Sequence, residues 1–176
     1  MTITYATADN FHCATLDELR PILDALNTIT WPCPADAIQD ITSRLGWNII
    51  SDRVHVKALV DLPLNWRVAD FSRPDGIFTQ LGFPVSDVVD ASDCDMRTVV
   101  QDAFAKMTEE LSSVLGPVDG QMGAPARQAW WELPSNGRIK LELLSGNVQM
   151  RVLSKQLADV ERFEETHDMS EYPEDE

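Results

Sequence analysis

Three histidines, three cysteines and a few paired carboxylates are the residues of this chain that could do chemistry, and their spacing limits what that chemistry is. His12 and Cys13 are adjacent, but a zinc site would need further ligands at short spacing, which the neighbouring sequence does not supply. His55 lies in the alternating run VHVKALVDL and reads as a partly exposed strand residue rather than a general base. His167 falls in an acidic tail. No G-x-S-x-G elbow and no locally connected Cys–His pair marks a nucleophile, although residues distant in sequence can converge on a triad. Glu109–Glu110 and Glu164–Glu165 are consecutive on predicted helices, where neighbouring side chains diverge. Gly116, Gly120 and Gly123 follow a helix and lack the Lys-Ser/Thr of a phosphate loop. The expectation is therefore a binding protein, not an enzyme, with no metal and no cofactor.

The elements that would position these residues follow from periodicity. Leu19, Ile22, Leu23 and Leu26 share a helical face. Thr15 and Glu18 have capping-box spacing, but Pro21 argues for a start at Asp17, nearer the proline. In TWPCPADAIQDITSRLGW, Pro34 suits a first helical position, and Ala37, Ile38, Ile41 and Leu45 form one face. Gly46 ends that helix, and Trp31 and Trp47 read as packing anchors at its two ends. WNII and VHVKALVDL form a hairpin. Strands over Trp66 to Phe71 and IFTQLGF follow, separated by the turn SRPDG. From Met96 to Leu115 an apolar stripe runs through about five turns, capped by Asp93 or Asp95 and stopped by Gly116-Pro117.

GPVDGQMGAPAR is then a long loop of the kind that carries function. QAWWEL, RIKLELL and VQMRVL form an antiparallel meander with Ile139, Leu141 and Leu143 inward and Arg138, Lys140 and Glu142 on a wet face. Ser154 caps a last helix to about Glu165, with Leu157, Val160 and Phe163 toward the core. The order is roughly ααβββ(β)αβββα. The class is α+β, with helices packed on one face of an antiparallel sheet. Residues 1–165 form one domain, and 166–176 form an acidic, disordered tail.

Charge and composition narrow the partners. With 29 acidic against 14 basic residues the net charge is −15, which repels nucleic acid and anionic membranes and favours a basic partner. Half of that excess lies at the end, where eight carboxylates from Glu161 to Glu176 face only Arg162. The three separated cysteines, the absence of an 18-residue apolar run and an opening MTITYATADNF without a basic or apolar leader point to a reducing cytoplasm. If Ala129, Trp131 and Leu133 face the core, Trp130 lies among Gln128 and Glu132 as an exposed contact residue, unless a loop or helix covers it. Trp66 raises the same question. Asp75 and Asp119 are loop carboxylates that could enter a cationic pocket or simply form turns.

The stretch TWPCPADAIQDITSRLGWNII is similar to a W-x-W-P…A…L-G-W pattern, with Ile29 at the first tryptophan. Together with the length, the acidic tail and ARQAWWEL, it makes the chain resemble a family of small actinobacterial immunity proteins, those that neutralise secreted NAD+ glycohydrolases of the tuberculosis necrotizing toxin kind. The resemblance implies a cytosolic protein that binds a folded toxin domain, one to one, and occludes its NAD+ site. A cleft that holds a pyrophosphate is electropositive, so an acidic inhibitor would associate fast. The contact surface expected on this reading is the loops 72–77 and 116–127 and the Trp130 face, with Trp66, Asp75, Asp119, Gln121, Met122 and Trp130 as its residues. The alternative is an acidic secretion chaperone, a dimer that binds an unfolded effector segment. An enzyme built around His55 is the third possibility.

Overall fold

The first helix, α1 (Leu16–Asn27), starts one residue earlier than expected. Thr15 Oγ1 accepts the Glu18 backbone N–H at 3.2 Å, and the Glu18 carboxylate accepts the Thr15 N–H at 3.0 Å. This capping box satisfies two otherwise orphaned donors, and Pro21 one turn further on forgoes a single intrahelical bond. The structure, a computed structural model, describes residues 2–167. The expected disordered tail therefore lies outside the described residues except for Thr166, the last residue of the final helix, and His167.

Pro34 does not open the second helix. Cys33–Pro34 form a short strand, β1, which pairs with Ile77–Phe78 further along the chain. That pairing keeps the backbone extended, so α2 begins only at Ala37 and runs to Leu45. Gly46 closes it with φ 70°, the left-handed conformation that glycine adopts without cost. The two tryptophans do anchor its ends. Trp31 lies 5.5 Å from the Phe78 ring, and buried Trp47 lies 5.5 Å from Phe83 and 6.2 Å from Phe71.

Strands β2 (Asn48–Asp52), β3 (Val56–Leu59), β4 (Val68–Ser72), β5 (Ile77–Phe78) and β6 (Gln80–Pro84) follow. Helix α3 (Cys94–Leu115) comes next, capped by Asp93, whose carboxylate accepts the N–H groups of Asp95 and Met96. Then come β7 (Gly120–Met122), β8 (Gln128–Glu132), β9 (Arg138–Leu143), β10 (Val148–Leu153) and α4 (Lys155–Thr166). The main sheet is antiparallel in the order β2-β3-β4-β6-β10-β9-β8-β7. It consists of two meanders. After β6 the chain leaves through α3, starts again at the far edge with β7, and works inward until β10 pairs with β6.

One face of the sheet, with Phe71, Leu81, Phe83, Leu141 and Met150, buries the apolar sides of α1, α2 and α3. This is the α+β architecture expected from the sequence, with one refinement. Helix α4 lies across the opposite face, where its Glu161 and Glu165 pair with Arg138 and Lys140. The expected wet face of β9 is consequently buried along its whole length. Val160 and Phe163, expected toward the core, are exposed; the only α4 residue wholly buried is Ala158. Helix α4 is thus held by ionic contacts more than by an apolar stripe. No helix among the described residues is long and apolar enough to cross a membrane.

Candidate functional site

The expected contact residues separate into two groups. Asp119, Gln121, Met122 and Trp130 come together on β7 and β8, because part of the long loop after α3 is itself the terminal strand of the sheet. Trp66 and Asp75 flank opposite ends of β4, five strand positions from β7. Trp66 is half-buried in the loop before that strand, and Asp75 is exposed at φ 55° in the turn Pro74–Gly76, where it acts as a turn former. Neither belongs to the surface that β7 forms.

Trp130 is not an exposed contact. It does lie opposite Ala129 and Trp131, on the polar side of β8, but it is only 8% exposed. The Arg138 guanidinium carbon sits 5.2 Å and the Lys140 ammonium 5.7 Å from its ring centroid, both within cation–π range. On its other flank it leans over Gly120: a Cβ there would stand 2.2 Å from the indole Cζ2. Gly120 is therefore set by the tryptophan above it rather than by backbone conformation.

Asp119 is also partly committed. Its Oδ2 accepts the Glu132 N–H at 2.6 Å, and its own N–H donates to the Trp130 carbonyl at 2.8 Å, which extends the β7–β8 ladder by one step. Gln121 and Met122 remain open, and Met122 is 58% exposed.

Two depressions border this edge. On the Gln121 side a groove of about 450 Å³ runs between β7 and α3, over Phe104, Ala105, Ala126 and Leu143, with Asp102 at its rim. On the Met122 side a depression of about 200 Å³ is lined by Trp130, Lys140, Glu161, Glu164 and Glu165. Lys140 donates to Glu161 at 2.8 Å, so the cation there is already paired. The edge thus offers apolar surface on one side and an acidic rim on the other. Sequence reasoning missed the α3 and Leu143 contributions, because the helical stripe and the strand alternation assign those residues to the core without showing where the core opens.

The ionic cluster behind Trp130 is the most concentrated electrostatic feature. Arg138 is 1% exposed. It donates to Glu132 through Nε at 3.1 Å and Nη2 at 2.6 Å, to Glu161 at 2.9 Å, and to Glu165. Glu132 also accepts from Arg162. Burial by itself would raise the Glu132 pKa, but the hydrogen bonds from Arg162 and Arg138 outweigh it and hold the carboxyl below its ordinary value.

The nucleophile candidates are dispersed. His12 Nε2 meets the Glu18 carboxylate at 2.9 Å, and His55 Nδ1 meets Asp70 at 2.6 Å on the sheet face away from α3. Among the described residues no three His, Cys, Asp or Glu side chains gather as metal ligands. Burial, reinforced by nearby Glu110, pushes the Cys13 thiol up to about 12, and burial also raises Cys33. Cys94 is exposed in the first turn of α3, 3.0 Å from Arg97 Nη2. Since thiolates are the reactive form, one thiol per native chain should react with a chromogenic disulfide at pH 8, with the other two following only on unfolding. Cys94→Ser should abolish the fast phase. A native chain that labels at two or three sites would contradict this burial.

The protein is an antiparallel α+β fold in which the β7 edge lies between an apolar groove and an acidic rim. By sequence the chain belongs to a family of unknown function (DUF6301), whose model matches residues 17–154. That span runs from the first turn of α1 to Ser154, so it includes the sheet and excludes α4. No curated protein and no solved structure matches the chain.

Proposed function

We propose that this chain is a cytoplasmic immunity protein that binds a folded, secreted NAD+ glycohydrolase toxin domain one to one and blocks its NAD+ site with the β7 edge. The observation that carries this reading is the combination at that edge. Exposed Met122 and the groove over Phe104 and Leu143 supply apolar contact area, while Asp102 and Glu164 stand at the margins. A desolvated centre with a charged rim is the usual anatomy of a tight interface. An excess of 15 negative charges speeds encounter with a cleft built to hold a pyrophosphate. The similarity of the tryptophan-bracketed stretch to immunity proteins supports the same reading. Such a protein must meet its toxin before export, which is the reason for assigning it to the producing cell's cytoplasm.

The test is a titration of NAD+ hydrolysis by the folded toxin domain. Activity is expected to reach zero near one equivalent. Met122→Lys should raise the inhibition constant by roughly 50-fold, the scale of a lost interface anchor, while Asp75→Lys should leave it unchanged. Undiminished hydrolysis at large excess would remove the proposal. The alternative, a secretion chaperone, would be a stable dimer by light scattering and would leave the folded toxin active.

A further inference from the structure

We propose that the opposite edge of the sheet, strand β2, is a strand-addition site for an extended, basic segment of a partner protein. This surface lies at the far end of the sheet from β7 and stands or falls independently of the immunity reading.

Among the described residues strand β2 is paired on one side only, with β3. Edge strands are usually blunted by lysine, proline, a bulge or a covering element, and of these β2 carries the bulge at Ile50. The residues of β2, Asn48-Ile49-Ile50-Ser51-Asp52, include neither lysine nor proline. Ile50 is 53% exposed at a bulge between Ile49 and Ser51, and Val54 in the following turn is 85% exposed. An open edge with exposed β-branched residues is a template for a further strand, whose main chain supplies affinity and whose alternate side chains supply specificity.

Charge indicates what that strand carries. A groove of about 420 Å³ runs beside β2, bounded by Ile38, Ile49 and Val56 and by the carboxylates of Asp36, Asp40 and Asp52. Its one cation, Arg73, is paired with Asp52. Asp36 precedes α2 without making a side-chain cap bond, and neither it nor Asp40 has an ion-pair partner among the described residues. A lysine or arginine at alternate positions of an added strand would reach these carboxylates beside Ile49, while its apolar neighbours point to the other side of the strand. A second copy of this chain would bring the same three aspartates against their equivalents, so self-pairing is the disfavoured occupant.

The experiment titrates the full chain into a fluorescein-labelled octapeptide of alternating lysine and valine, with a glutamate–valine octapeptide as counterpart. The lysine peptide is expected to bind at least tenfold more tightly and to slow hydrogen exchange over residues 48–52. Ile50→Ser and Asp40→Asn should each weaken it about fivefold or more. Glu109→Gln, an equal charge change on the exposed side of α3, should leave binding unchanged. Equal losses for Asp40→Asn and Glu109→Gln would reveal general charge attraction and overturn the proposal. Exchange protection at residues 120–122 instead of 48–52, or no binding by either peptide, would do the same. A dimer in light scattering that Ile50→Ser dissociates would assign the edge to a second copy and reject the basic segment. Circular dichroism of each variant confirms that it is folded; Ile50 and Asp40 are exposed, so their replacement leaves the core intact.

Discussion

Arg138→Met should lower stability by about 3 kcal/mol at neutral pH, a fall of about 9 °C in Tm for a chain of this size. The guanidinium is buried against Glu132, Glu161 and Glu165, which are each partly accessible to water. Without Arg138 these carboxylates face one another with only Arg162 and Lys140 to offset them, and α4 loses its main tie to the sheet. Their partial exposure keeps the loss toward the lower end of what removing one partner of a fully buried pair costs. Lysine at 138 should recover only part of it, because an ammonium cannot serve three carboxylates with the planar fork of arginine.

The pH dependence has a defined sign. Glu132 has a folded pKa below its ordinary value of 4.5, so it contributes stability above that value and loses it as pH falls through the folded pKa. The gap between native and variant Tm should therefore be widest at neutral pH and narrow below about pH 4.5. Thermal unfolding at pH 7 and pH 3.5 provides the check. An unchanged Tm at pH 7 would mean that α4 is held by something other than this cluster.

Gly120→Ala should destabilise the chain by about 2 kcal/mol, although the position is on an edge strand and only one methyl group is added. The new Cβ would stand 2.2 Å from the Trp130 ring. The ring cannot move aside freely, because Arg138 and Lys140 occupy its flank and are themselves tied to α4. Trp130→Phe removes the overlapping ring atoms, so the double variant should be more stable than the sum of the single losses predicts. Strict additivity in a double-mutant cycle measured by denaturant unfolding would show that the methyl group is accommodated elsewhere.

These two sites mark the limit of what local pattern conveys. The alternation in RIKLELL correctly separates Ile139 and Leu141 from Arg138 and Lys140. It does not show that α4 will cover the charged side, because the residues that neutralise Arg138 lie up to 27 positions away. The same alternation puts Trp130 on the correct side of β8 and leaves open whether it is exposed or covered; the structure decides for covered. The β7 strand was invisible: Gly120-Gln121-Met122 is too short and too glycine-rich to register as a strand and exists only because Trp130, Ala129 and Gln128 pair with it. Pro34 misled in a similar way, since its preference for a first helical position yields to pairing with Ile77.

The amino-acid sequence by itself determined the α+β class, the long amphipathic helix ending at Leu115, the final antiparallel meander, the left-handed stop at Gly46 and a net charge of −15. Those properties depend on residue type and on neighbours within a few positions, where helix and strand periods act. The tertiary structure alone decided that, among the described residues, β7 and β2 are the two edges of the main sheet, that α4 lies on its second face through ionic contacts, and that Asp75 and Trp66 stand apart from the β7 surface. Those outcomes depend on which distant segments meet. A period of two or 3.6 residues identifies the face that an element buries, but not the partner that covers the other.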